Sequence, residues 1–231
     1  MRNLILAFLL IPLLLGCQSN EKKALSLVKD YMYKNLHDYK SYEPIETKID
    51  SLFSEAETND DVLQAVKKFE DEADRYDKES EEYSHALDLL QIWSGGWSST
   101  SRSKFKQYQK EATEHLSESI KALLAQNECS LLIKDIADTI KRDFIGWKIT
   151  HSFRSNNLAG HSSKGDYVFW ADKKFKNIIR TFDNEEYMKQ LSYALLIWTI
   201  ENDDRANIVD RIETVKRQNR QIDSMLNALN N

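Results

Sequence analysis

At Phe144 the hydrophobic period of the chain changes, and that change limits the fold more than any other feature of the sequence. In "IGWKITHSFR", Trp147, Ile149, His151 and Phe153 alternate with Lys148, Thr150, Ser152 and Arg154. Successive side chains of a strand point to opposite faces, so the pattern predicts a strand with one wet face. The polar, glycine-containing "SNNLAGHSSKG" leads to a second strand, "DYVFWA", and a tight "DKK" turn leads to a third, "FKNIIRTF". Parallel neighbours need a crossover of about a dozen residues or more. The short links therefore predict a three-stranded antiparallel meander near residues 145–182.

Before the switch the period is helical. Leu25, Val28, Tyr31, Met32 and Leu36 recur at three- and four-residue spacing within 22–37. In "KSYEPIETKIDSLF", Pro44 pushes Glu43 towards an extended conformation, leaving Ile45, Ile49, Leu52 and Phe53 to pack against the helices. Residues 60–93 carry apolar stripes through Val62, Val66, Phe69 and Ala73, then Tyr83, Leu87 and Leu90. The glycines and serines of "SGGWSSTSRS", 94–103, predict a loop. Helical spacing resumes from Phe105 through Leu124, and a shorter helix is expected over about 130–142. Such helices pair as antiparallel hairpins, each burying one face.

After the meander, Asn184 with Glu185 and Glu186 behind it reads as a helix start, the acids complementing the helix dipole. The helix continues through "YMKQLSYALLIWTIEN", where Lys189 marks a core helix rather than a membrane span. A last amphipathic helix carries Ile208, Ile212, Val215, Ile222, Met225 and Leu229. The expected class is α+β and mostly helical, with helical hairpins, the meander and two C-terminal helices. A chain of 231 residues suits one domain, here 25–231, with a helical part over 25–143 and the meander plus helices over 144–231.

The N-terminus predicts location. Arg2 precedes an apolar stretch over 4–15, broken only by Pro12, which is too short to span a bilayer but matches a secretory signal. In "LLLGCQSNEKK" the apolar run stops at Gly16 and Cys17 and the chain turns polar at once. Leu14, Leu15, Gly16 and Cys17 resemble a bacterial lipobox. The resemblance implies that 1–16 are removed as a signal peptide, that Cys17 becomes the lipidated first residue, carrying diacylglycerol and an amide-linked acyl chain such as palmitate, and that 17–24 are a polar tether. One acyl chain holds a protein only marginally, whereas two or more hold it stably. The expected place is the bacterial cell envelope. Gln18 is not the aspartate of an inner-membrane retention signal, so the outer membrane is favoured, on its periplasmic or its surface face.

The formal net charge of −5 and the lack of a basic stripe interleaved with aromatics argue against nucleic-acid binding. With Cys17 lipidated, Cys129 has no intrachain partner, and "NECSLLIKDIADTI" reads as packing it inside a helical face.

Two regions could carry function. Around the meander, "SYEPI" (41–45), Gly146, His151, Phe153, Arg154, Asn157, Gly160, Phe169 and Asp172 resemble a pattern in small Bacteroidetes-type lipoproteins of unknown function. That resemblance implies fold and location but no reaction. Read by themselves, His151 and Arg154 fall on opposite strand faces. His151, flanked by Ile149 and Phe153, reads as a hydrogen-bonded core residue, and Arg154 as pairing with a carboxylate such as Asp172. A zinc set of His151, His161 and Asp166 fits no recognised spacing, and no cofactor motif is present, so neither metal nor cofactor is expected. The second region is the serine-glycine loop bracketed by Trp93 and Trp97, whose indoles either stack on a sugar or a partner or turn inward as lids. The chain is therefore expected to be a non-enzymatic, lipid-anchored binding protein for an envelope protein or glycan. The alternatives are an envelope hydrolase with its site on the His151 to Asp172 face, and a structural tether or assembly factor.

Overall fold

The computed structural model of the chain describes residues 19–230. The expected signal peptide, 1–16, and the lipidation site, Cys17, lie outside the described residues. The elements in order are α1 (Asn20–Asn35), β1 (Glu43–Phe53), α2 (Asp60–Trp93), α3 (Ser99–Ala137), β2 (Phe144–Asn156), β3 (Ser162–Asp172), β4 (Ile178–Phe182), α4 (Asn184–Glu201) and α5 (Arg205–Asn230). The protein is α+β and mostly helical. Its sheet is fully antiparallel and has four strands in the order β1-β2-β3-β4, so the expected three-stranded meander gains an edge strand from far upstream.

Short polar side chains start the helices. Ser19 Oγ accepts from Lys22 N–H, Asn59 Oδ1 from Asp61 and Val62 N–H, Ser98 Oγ from Ser101 N–H, and Asp204 Oδ1 from Ala206 N–H. At α4, Asp183 accepts from Glu186 N–H while Glu186 accepts from Asp183 N–H, which forms a capping box. Capping moves two expected boundaries. Ser19 starts α1 inside the stretch expected to be tether, and Ser98 starts α3 inside the expected loop, which shrinks to 94–98. The expected break before 130 is also absent, and α3 runs unbroken for 39 residues. Asn127 and Ser130 stay in the helix by donating to the carbonyls of Leu123 and Gln126, one turn back.

Two compact units make up the chain. One joins the described residues up to Ser54 with Arg142–Ser192, and the other joins Glu55–Lys141 with the C-terminal stretch from Tyr193. In the first, α1 lays Ala24, Val28 and Met32 on the sheet face formed by Ile149, Phe153, Phe169 and Ala171. Each large side chain buried this way contributes about 1.5–3 kcal/mol. The opposite face is not wet as expected. Leu52, Val168, Trp170 and Phe182 form a second cluster there, with Tyr187 of α4 against it.

In the second unit, α2 and α3 form an antiparallel hairpin. It is laced by Arg75 to Glu118 and by His115 to Glu79 at 2.7 Å, while Glu72, one turn from Arg75 on α2, holds the same guanidinium. Small buried residues, Ala86, Ala112, Ser119 and Ala122, line these helices. At its base Val62, Val66 and Ile133 form a core with Ile197, Ile200, Ile208 and Ile212. Toward the end of α5, however, Met225 and Leu229 are exposed. Cys129 is buried in α3, and burial pushes its thiol pKa up.

Candidate functional site

His151 is completely buried. Its Nε2 lies 2.8 Å from the Tyr42 hydroxyl and its Nδ1 2.9 Å from Thr47 Oγ1. Both partners come from residues outside the expected meander: Tyr42 precedes β1 and Thr47 lies on it, directly across from His151. Phe153 stacks on one side of the imidazole at 5.8 Å, and Tyr167 stacks on Phe153 at the same distance. Burial holds the His151 pKa below its ordinary value, so the ring is neutral at physiological pH. Burial, with Tyr39 beside it, pushes Tyr42 up to about 12, so its hydroxyl stays protonated. With both nitrogens engaged and no exposed surface, this imidazole joins β1 to β2 and offers nothing to a ligand in solvent.

Arg154 is exposed on the other face, across from Glu43 and Lys164. Asp172 stands opposite Gly146, eight positions along β2 and about 27 Å from Arg154 at the rise of a strand. The expected Arg154–Asp172 pair is thus excluded by register. Asp172 instead accepts from the N–H groups of Lys174, Lys176 and Asn177, fixing the β3–β4 turn in which Phe175 has φ 56°. These bonds, Lys176 foremost, hold its carboxyl below the usual range. His161 lies in the β2–β3 turn, which is organised by Asn157 Oδ1 accepting from Ala159 and His161 N–H. Among the described residues, no group of three or more His, Cys, Asp or Glu side chains is placed to hold a metal ion.

A wide opening in the sheet unit was not legible in the sequence. β4 covers only residues 168–171 of β3, which among the described residues leaves 162–167 with β2 as their ladder neighbour and an open outer edge. Beside that edge is a cleft of about 610 Å³, floored by Phe153 and Tyr167 and walled by Asn184, Glu185 and Met188 from the first turns of α4. Gly165 keeps the floor flat, since a Cβ there would come within 2.6 Å of Phe153 Cζ. On the rim, Asp166 accepts from Ser152 Oγ and pairs with Lys164 at 3.2 Å. The Ser152 bond leads in holding the Asp166 pKa down. Burial raises Tyr167, so its hydroxyl remains a donor at the cleft floor.

The tryptophans separate. Trp93 ends α2 half-buried and lines a depression of about 180 Å³ with Arg102, Phe105 and Lys106, whereas Trp97 at the hairpin tip is 95% exposed. The inward-turned pair of lids is therefore not what forms. No family model, curated protein or solved structure matches the chain.

Proposed function

We propose that the protein is a non-enzymatic binding protein of the bacterial cell envelope, held at a membrane, the outer one foremost, by lipid on Cys17. It receives an extended segment of an envelope protein in the cleft beside β3, and a glycan strand is the second class of occupant. The observation that carries this reading is the open backbone edge at residues 162–167 next to an aromatic floor. An unpaired strand edge supplies backbone hydrogen bonds to an incoming strand, and side-chain pockets beside it supply selectivity. The lipobox-like "LLLGC" supports the location.

No observation favours the hydrolase reading, because the histidine it would need is sealed inside the sheet. Site-specific photo-cross-linking in envelope membranes tests the proposal. A cross-linker at Met188 is expected to yield a discrete adduct that a matched probe at Lys40 does not, and Gly165→Val is expected to abolish it. A Met188 probe that captures nothing, or the same products as Lys40, overturns the reading.

A further inference from the structure

The α2–α3 hairpin ends in a surface that the cleft reading does not use. Between Asp88 and Glu111 there is no acidic residue, while Arg102, Lys104, Lys106 and Lys110 are all basic, in a chain that carries 37 acids and a net charge of −5. Arg102, Lys104 and Lys106 make no ion pair among the described residues; Lys104 donates only to Gln107 and lies 5.7 Å from the Tyr108 ring. At the apex, the turn of serines and glycines carries Trp97 at 95% exposure, and Ile92, at the end of α2 five positions earlier, is 70% exposed. The last interhelical side-chain hydrogen bond toward the tip among the described residues, between Glu79 and His115, lies about 21 Å back along α2, so the end projects well clear of the lacing.

Large apolar side chains this exposed, ringed by unpaired cations and small polar residues, match the boundary of a bilayer. Indole prefers the headgroup level, and lysine and arginine are drawn to an anionic leaflet. A sugar site would differ, because stacking on a glycan is fixed by carboxylates or amides that bond the hydroxyls. Near Trp97 the turn offers only serine hydroxyls, and Ile92 offers a sugar no hydrogen bond. We infer that the tip of the α2–α3 hairpin docks on the anionic face of a phospholipid bilayer, with Trp97 and Ile92 entering the headgroup boundary and Arg102, Lys104 and Lys106 facing lipid phosphates. The contact is separate from the lipid on Cys17 and from the cleft.

The test uses the full chain reconstituted on vesicles of phosphatidylcholine, alone or mixed with phosphatidylglycerol, with bromine on the acyl chains as a short-range quencher. The difference between the wild-type chain and Trp97→Phe isolates the Trp97 emission. That emission is expected to be blue-shifted and quenched on the mixed vesicles, and to recover when salt is raised. Each cation near an anionic leaflet contributes about fivefold to binding, so the triple variant R102Q/K104Q/K106Q is expected to lose most of the quenching. Trp97 emission left unquenched on mixed vesicles, equal quenching without phosphatidylglycerol, or a triple variant indistinguishable from wild type overturns the inference. A response to a soluble glycan or an envelope protein in place of lipid overturns it as well. Chain washing off the vesicles reports on Cys17, whereas quenching per bound chain reports on the tip, so the two failures are distinguishable.

Discussion

His151 shows how far single residues could be read. Its neighbours Ile149 and Phe153 pointed to a core position, but its partners, Tyr42 and Thr47, lie more than 100 positions upstream and no local pattern names them. Its titration gives a prediction. With the folded pKa lowered by burial, the unfolded chain takes up the proton first as pH falls. The stability tied to the neutral ring is therefore complete above about pH 6.5 and is lost progressively below it, at up to about 1.4 kcal/mol per unit. The depressed carboxylates of Asp166 and Asp172 act only below about pH 4, outside that window. Thermal melts from about pH 7.5 to 5 should fall more steeply for the wild type than for His151→Gln, and parallel curves would remove the claim. Ser117 predicts the opposite sign of change. Its hydroxyl is buried in α3 without a hydrogen-bond partner among the described residues, so Ser117→Ala should raise stability by about 1 kcal/mol in urea titration.

Among the elements, long helices and the central strands were legible because one period persists over many residues. β1 was not. Along Glu43–Phe53 the register shifts between Pro44 and Glu46 and again between Leu52 and Phe53, and over the regular stretch between them plain alternation puts Ile49 on one sheet face and Leu52 on the other. The two irregularities leave only a short run of alternation to read, and Ile45 at the first of them is exposed. The expected break before 130 failed in the opposite direction, since the polar Asn127 and Ser130 bond back along their own helix and do not interrupt it. Gly146, by contrast, could be picked out but not explained from sequence. A Cβ at that position would lie 2.0 Å from the Ala171 carbonyl oxygen, which belongs to the paired backbone of β3 and cannot swing away. Gly146→Ala should therefore cost roughly 1–3 kcal/mol in denaturant midpoint, whereas Gly95→Ala, where the space is open, should cost far less. Equal effects at the two sites would contradict the packing account.

For the molecule as a whole, neither compact unit is a continuous piece of chain. The helical unit takes Glu55–Lys141 and then, past the whole of the sheet, the stretch from Tyr193 onward. A period switch marks where strands begin but says nothing of which distant helix closes a core, and that closure is the part of the fold a linear reading does not reach. The base of the hairpin depends on it. Ile197, Ile200, Ile208 and Ile212 complete the cluster around Val62, Val66 and Ile133, and Arg205 and Arg211 bond Asp135 and Asn127 of α3. Four isoleucines at about 1.5–3 kcal/mol each amount to about 6–12 kcal/mol, comparable to the entire stability of an ordinary domain. A fragment of residues 55–141 should therefore show reduced helical circular dichroism and no cooperative melt, despite containing both long helices. Adding residues 193–231 as a separate peptide should restore the transition, because the missing contribution is burial rather than chain connectivity. A fragment that melts cooperatively at the midpoint of the full chain would mean that the hairpin is held by its own interhelical contacts, and that α5 merely rests against it.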